Sequence, residues 1–155
     1  MKRAWMALGA VAAVGIGAAA LVFLPADAGA RPTVTVYKTA TCGCCHEWVE
    51  HLEDAGFEVE AHDVADLGAV KDRYGVRVPL RSCHTAIVDG YVIEGHVPAA
   101  DIARLLEERP EVAGLAVPGM PIGSPGMEVP GRPADPYDVL AFDERGNARV
   151  FAEHR

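Results

Sequence analysis

Three of the chain's four cysteines lie within four positions, in the segment TCGCCH at residues 41–46. The fourth, Cys83, lies in SCHT at residues 82–85 and, like Cys45, is followed directly by a histidine. Crowded cysteines pair poorly with one another, because a disulfide needs a specific separation and orientation of the two side chains. The pattern predicts that the fold brings these two segments together into one sulfur-rich site for a soft metal ion.

The cysteine loop lies between a predicted strand and a predicted helix. β-Branched residues alternate over residues 33–37, which is typical of a strand. Apolar residues then recur at helical spacing. They are Cys45, Trp48, Val49, Leu52 and Ala55. Gly56 follows as a predicted helix C-cap, so the cysteines occupy the start of the helix.

The remaining periodicity predicts an α/β chain in the order β-α-β-α-β-β-α. After the first strand and helix, residues 57–61 alternate as a strand and residues 67–74 form a short helix. Residues 85–88 and 91–94 flank Asp89-Gly90, a strong hairpin turn, and a helix follows Pro98. This is the thioredoxin-like order, in which a C-x-x-C pair such as Cys42 and Cys45 lies at the end of strand one.

The register of that fold also predicts the position of Cys83. In a thioredoxin-like sheet the loop before the third strand faces the C-x-x-C loop, and Cys83 occupies that loop. A helix start stabilises thiolates, which both bind metals and attack disulfides. Cys44 favours metal binding, because a third thiol disturbs a redox pair but gives a metal more sulfur. Soft thiolate and thioether ligands select Cu(I), zinc or iron–sulfur centres, and the spacing matches no iron–sulfur pattern.

Three alternatives remain open at this point. Four cysteines in an exported protein are compatible with two disulfides. Cys42 and Cys45 could instead serve as the attacking and resolving thiols of an oxidoreductase. A structural zinc site would use four ligands in a closed tetrahedron.

Further ligands are predicted around the cysteines. His84 directly follows Cys83 and could add a nitrogen ligand, and His46 and His96 are further candidates. Met120 and Met127 lie in a Gly/Pro-rich stretch, residues 114–136, where a thioether is either available to Cu(I) or fills a gap in the core. By contrast, we expect three histidines to be solvated. They are His51, His62 and His154.

The N-terminus predicts export. MKR is followed by 21 uncharged residues, 4–24, and then by two overlapping A-x-A sites. A cleaved signal peptide over residues 1–30 is favoured over a retained membrane anchor, and either places the rest of the chain in the bacterial periplasm. Residues 31–110 are then the metal-binding domain. Residues 111–155 are a Gly/Pro/Met loop and a C-terminal β-hairpin packed on the same domain. A net charge of -8 argues against a nucleic-acid partner.

Four motifs together resemble the CopG-type copper-resistance proteins, a family long filed as a domain of unknown function. They are VYKTATCGCC at residues 36–45, SCHTA at 82–86, GYVIEGHVP at 90–98 and GLAVPGMPIGSPGME at 114–128. The resemblance runs from about Val34 to the C-terminus. The chain departs from the family at Ala40, because the family often has a proline at this position before the cysteine motif.

The resemblance implies a thioredoxin-like fold, a periplasmic location and a role in copper handling. It implies that Cys42, Cys44, Cys45 and Cys83 hold copper, with a thiolate-bridged cluster of several Cu(I) ions as one form. Together with the residues themselves, it favours a copper-binding protein for resistance or homeostasis over an enzyme. Periplasmic copper-efflux or copper-carrier proteins are the expected partners. The alternative is a thiol–disulfide or copper-dependent oxidoreductase that uses Cys42 and Cys45.

Overall fold

The computed structural model of the protein describes residues 32–155. The signal peptide predicted for residues 1–30 lies outside the described residues. Within residues 32–155, none of the helices has both the length and the apolar character that a membrane span requires.

The described part of the chain is an α/β fold with seven strands and three α-helices. Its first seven major elements follow the predicted order β-α-β-α-β-β-α, and a 3₁₀ turn, Val78–Leu80, precedes the third strand. In chain order the helices and strands are β1 (Val34–Lys38), α1 (Gly43–Asp54), β2 (Val59–Asp63), α2 (Leu67–Arg73), β3 (Thr85–Val88), β4 (Tyr91–Glu94), α3 (Ala99–Glu108), β5 (Gly114–Ala116), β6 (Tyr137–Phe142) and β7 (Ala148–His154).

The strands form one sheet in the order β2-β1-β3-β4-β5-β6-β7. β1 and β2 are parallel, because α1 carries the chain back across the sheet between them. β3 lies antiparallel to β1 on the other side and pairs Ala86 with Val36. The loop after β1 and the segment before β3 therefore meet at the same end of these two neighbouring strands.

The core has two parts, one on each face of the sheet. The larger contains the buried faces of α1 and α3, with Trp48, Leu52, Ile102 and Leu105 packed against strand residues that include Ile93. The smaller contains Val76, Leu80, Val92, Ala116 and Phe142. Ile93 and Val92 are neighbours on β4 and belong to different parts, because successive strand residues face opposite sides.

Strand β5 was not predicted from the sequence, which placed Gly114–Ala116 in the Gly/Pro-rich loop. Its three residues are buried, run parallel to β4 and pair antiparallel with β6. Gly114 allows this approach, because a Cβ there would lie 1.8 Å from the carbonyl oxygen of Val92. A three-residue strand that starts with glycine has too little alternation to be recognised, yet it joins the C-terminal hairpin to the sheet.

The second predicted strand begins two residues later than expected, at Val59, because Phe57 turns into the core after α1. His51 and His154, which were predicted to be solvated, are partly buried, and each has a hydrogen-bond partner within the fold. His154 lies 2.8 Å from the buried carboxylate of Asp101, and His51 is half-buried between helices. The Nε2 atom of His51 accepts the backbone N–H of Ala99 at 3.1 Å. This bond satisfies one of the free donors in the first turn of α3.

This contact predicts a pH-dependent stability. Burial lowers the pKa of His51 below its ordinary value, and the carboxylates of Glu128 and Asp54 oppose that effect only in part. The folded chain therefore favours the neutral ring, and its stabilisation is complete above the unfolded pKa of about 6.5. As the pH falls through the lower folded value, the protonated ring cannot accept from Ala99, and about 1 kcal/mol of capping energy is lost.

The matched variant is His51→Gln, which keeps an acceptor and does not titrate. Urea unfolding at several pH values should show wild type losing stability relative to this variant as the solution is acidified below neutrality. Parallel stability profiles for the two proteins would show that the bond between His51 and Ala99 has no effect on folding.

Candidate metal centre

The four cysteine sulfurs converge where the loop after β1 meets the segment before β3. Cys42 is the N-cap of α1, and Cys44 and Cys45 lie in its first turn. The Sγ atom of Cys44 lies 3.6 Å from that of Cys42 and 3.9 Å from that of Cys83. All four sulfurs lie within 4.8 Å of one another. The structure thus places Cys83 beside the other three cysteines, as the sheet register predicts.

The cysteines are not equivalent. Cys42 and Cys45 form a disulfide, with their Cα atoms 5.3 Å apart. Cys44 and Cys83 are the free thiols of the described region. This is one disulfide and not the two that one alternative required, and it joins the pair that the redox alternative named.

Two histidines also lie close to the Cys83 sulfur. The Nε2 atom of His96 lies 2.9 Å from Cys83 Sγ, and the Nδ1 atom of His84 lies 3.3 Å from it. Nδ1 of His96 lies 2.8 Å from the carbonyl oxygen of Pro125. Because a carbonyl only accepts, Nδ1 carries the proton and Nε2 presents a lone pair to the sulfur. Cys83, His84 and His96 thus form a second group of donor atoms that shares its sulfur with the first.

His84 is buried beside the sulfurs. It is fully buried, and its ring packs at 4.3 Å from that of Trp48 and at 5.0 Å from that of His96. Its Nε2 atom has no hydrogen-bond partner among the described residues. The Nδ1 atom of His84 faces the Cys83 sulfur, so it is this nitrogen, and not the unpartnered Nε2, that could bind an ion held by the sulfurs. The set of four sulfurs and two imidazoles fits a soft metal ion.

Burial sets the protonation of these groups. It raises the pKa of the Cys83 thiol to about 12, and the nearby Cys44 adds to the effect. It lowers the pKa of His84 well below its ordinary value, an effect that the charges of His96 and Lys71 reinforce. It also lowers the pKa of His96, against the bond to Pro125. The site therefore disfavours protonated imidazoles and holds a neutral thiol where a bound cation would stabilise a thiolate.

The Gly/Pro-rich segment, residues 114–136, packs against both the clustered cysteines and the Cys83 segment, and is called the covering segment below. The Oγ atom of Ser82 donates to the carbonyl of Gly119, and the N–H of Gly119 donates to the carbonyl of Arg81 at 3.2 Å. At its other end the segment lies against the first turns of α1, where a Cβ on Gly126 would come within 2.7 Å of the Cys44 carbonyl. The segment thus contacts both the segment that contains Cys83 and the helix start that contains Cys44.

The remaining predicted ligands are two methionines and His46. Met120 and Met127 are both on the covering segment; Met120 is 52% exposed, which argues against a core-filling role, and Met127 is partly buried. Their role as copper ligands stays a prediction. His46 is exposed and pairs with Glu50. His96, which the sequence offered only as a further candidate, lies two residues after β4, and β4 pairs with β3; this position was the available signal.

Comparison with known proteins agrees with this geometry. A family described as "Protein of unknown function, DUF411" matches residues 80–127, which include Cys83 and both histidines of the centre. No curated protein matches the chain. The solved structure titled "Copper resistance protein copG- Form 1" is 50% identical, covering 80% of this chain and 98% of its own, with a TM-score of 0.75. The corresponding Form 2 is also 50% identical, covers 81% and 99%, and has a TM-score of 0.76.

The chain belongs to the CopG family of copper resistance proteins. Both CopG structures match this chain over nearly their whole length. The family match from residue 80 onward spans Cys83, the histidines and the covering segment, whereas Cys42, Cys44 and Cys45 lie before it. Both structures are titled copper resistance proteins.

Two glycines of the Gly/Pro-rich segment should respond differently to substitution by alanine. Gly126 and Gly131 have φ of 82° and 80°, so alanine at either position loses about 1–2 kcal/mol to left-handed strain. At Gly126 a Cβ would also lie 2.7 Å from the Cys44 carbonyl and 2.8 Å from the Trp48 nitrogen, whereas at Gly131 it meets nothing within 4 Å. We expect Gly126→Ala to lose about 1–3 kcal/mol more in urea unfolding. Equal losses in the two variants would mean that the segment does not pack on α1.

Proposed function

We propose that this protein binds Cu(I) through its four cysteine sulfurs, outside the cytoplasm, as part of copper resistance or homeostasis. The observation that carries the proposal is the convergence of all four sulfurs within 4.8 Å, although Cys83 comes from a distant segment. The two similar structures are titled copper resistance proteins, which supports copper as the metal.

The donor set supports the choice of metal and of oxidation state. Thiolates are soft donors and favour Cu(I), whereas carboxylate and water ligands suit harder ions. The sulfurs lie close enough together for one to serve two ions, which is the basis for proposing a thiolate-bridged cluster of several Cu(I) ions. His84, Met120 and Met127 are proposed to complete the coordination, and His96 joins them because its Nε2 faces Cys83.

The disulfide makes the capacity of the site depend on its redox state. Two electrons and two protons from an external thiol reductant convert the Cys42–Cys45 disulfide into two thiols. The oxidised site offers only Cys44 and Cys83 as thiols, together with the imidazoles. We therefore propose that the reduced form takes up more copper than the oxidised form.

The setting of the protein is proposed from its sequence. The N-terminal export pattern supports a periplasmic location, with cleavage of the leader favoured over a membrane anchor. A protein that holds copper there needs a partner that supplies or accepts the ion, and periplasmic copper-efflux or copper-carrier proteins fit that need.

This proposal predicts stoichiometric Cu(I) binding by reduced protein. Anaerobic loading followed by desalting should leave bound copper, measured by metal analysis and by competition with a Cu(I) chelator. Cys83→Ser should weaken binding by more than the 10–100-fold that is typical for loss of an outer-shell partner, because it removes a direct ligand. Met120→Leu with Met127→Leu should have a smaller effect.

Two results would contradict the copper proposal. One is loss of binding only in the methionine variants, with Cys42 and Cys83 dispensable. The other is purification of the protein with stoichiometric zinc from cells supplied with copper, which would support the structural zinc alternative.

A second function, thiol–disulfide exchange, is supported by the disulfide itself. Cys42 is partly exposed at the start of α1 and Cys45 is fully buried behind it. An outer thiol that attacks and a buried thiol that resolves the mixed disulfide are what such an oxidoreductase needs.

This second function predicts that metal-free protein reduces small disulfide substrates with turnover. The activity should survive Cys44→Ala and Cys83→Ala, because neither belongs to the pair, and it should be lost in Cys42→Ser. A rate that depends on Cys44 or Cys83 would indicate that the sulfurs work as one site, as the copper proposal requires.

A further inference from the structure

A buried ion pair lies next to the Cys83 segment and supplies no donor to the metal centre. Lys71 of α2 is 5% exposed and donates from Nζ to the Oε1 atom of Glu94 at 2.5 Å and to the Oγ1 atom of Thr85 at 3.0 Å. Glu94, the last residue of β4, is fully buried. Lysine and glutamate are almost never fully buried unless they are paired, so this pair is unusual among the described residues.

Stability alone is a weak reason for such a pair. Removing two charges from water is costly, and apolar residues of similar size in their place are often neutral or stabilising. A role in fixing one arrangement of neighbouring groups is the better explanation where the geometry supports it. The hydrogen bonds of Glu94 indicate which neighbouring groups the ion pair holds in place.

The Glu94 carboxylate holds the chain on both sides of the copper ligand. Its Oε1 atom accepts the backbone N–H of Ser82 at 2.6 Å, and its Oε2 atom accepts the hydroxyl of Thr85 at 2.7 Å. Ser82 and Thr85 flank Cys83 and His84. The segment before β3 is irregular, so the carboxylate supplies a bond that a neighbouring strand would otherwise make.

Neighbouring contacts leave this segment little freedom. The N–H of Gly95 donates to the carbonyl of His84 at 3.1 Å. A Cβ on Gly95 would lie 2.5 Å from the Ser82 side chain, so the two backbones are already close. Lys71 donates a third hydrogen bond to the Glu94 carboxylate and connects α2 to the same point.

We propose that the ion pair of Lys71 and Glu94 is a positioning device that holds Cys83 within bridging reach of Cys44. Through the Ser82 amide it sets how tightly the centre holds copper and how much copper it takes up. The proposal rests on the copper-binding function proposed above, in which Cys83 is a ligand. Outer-shell partners of this kind are worth about 10–100-fold in metal affinity.

The test compares two double variants that remove both charges together, so that neither leaves an isolated buried charge. Lys71→Met with Glu94→Gln keeps an oxygen acceptor for the Ser82 amide. Lys71→Met with Glu94→Leu removes the acceptor and keeps the bulk. The control is Arg109→Met with Asp89→Asn, which removes an exposed ion pair at the far end of the same β3–β4 hairpin.

We expect the leucine double variant to fold, as judged by far-ultraviolet circular dichroism, and to bind Cu(I) about 10–100-fold more weakly. Its sulfur-to-copper charge-transfer absorption should be reduced, and Cys83 in metal-free protein should react faster with an alkylating reagent. The glutamine double variant should restore most of the affinity, and the control should match wild type. Wild-type affinity and copper content in the folded leucine variant would overturn the proposal.

The wild-type protein provides a second test if the leucine variant does not fold. Coupling between two sites is reciprocal, so Cu(I) loading should slow hydrogen exchange of the Ser82 amide. An unchanged exchange rate at Ser82 on loading would refute the coupling. If wild type itself binds no Cu(I), the proposed function fails and this inference falls with it, whereas a failure confined to the variants leaves the function standing.

Discussion

The antiparallel pairing of β1 with β3 is the interaction on which the whole site depends. It aligns Val36 with Ala86 and Tyr37 with Thr85, so the chain leaving β1 and the chain entering β3 meet at the same end of the two strands. The three clustered cysteines follow β1, and Cys83 lies two residues before Thr85. A shift of one residue in this register would turn the side chains of β3 to the opposite face. The position of the fourth sulfur is therefore a consequence of backbone pairing.

Two other parts of the molecule stabilise the group of sulfur and nitrogen atoms that the pairing of β1 with β3 brings together. On one side the Gly/Pro-rich segment packs on the first turns of α1 and contributes the Pro125 carbonyl that orients His96. On the other side Glu94 holds the amide of Ser82. Strand β5 links these regions, because it pairs with β4 and continues into the covering segment. Helix packing, sheet pairing and loop packing thus all act on the same few sulfur and nitrogen atoms.

The strongest local patterns in the sequence predicted most of this architecture. The alternation and helical spacing along the chain, with the Asp89-Gly90 turn, were enough for the element order, and the thioredoxin-like order then predicted the approach of Cys83. Features that depend on tertiary contacts were not accessible. β5 is too short to show alternation, and the partial burial of His51 and the contact of His154 with Asp101 depend on α3, which is distant in sequence. The ion pair of Lys71 and Glu94 joins α2 to β4, and no local pattern marks either residue as buried.

The most direct test of the account is a cysteine-by-cysteine protection experiment on reduced protein. Alkylation followed by peptide mass spectrometry, with and without Cu(I), reports which thiols the metal covers. A single shared centre predicts that Cys42, Cys44, Cys45 and Cys83 become protected together as copper is added. Protection of the three clustered cysteines while Cys83 continues to react would contradict a common site and would confine the metal to the loop after β1.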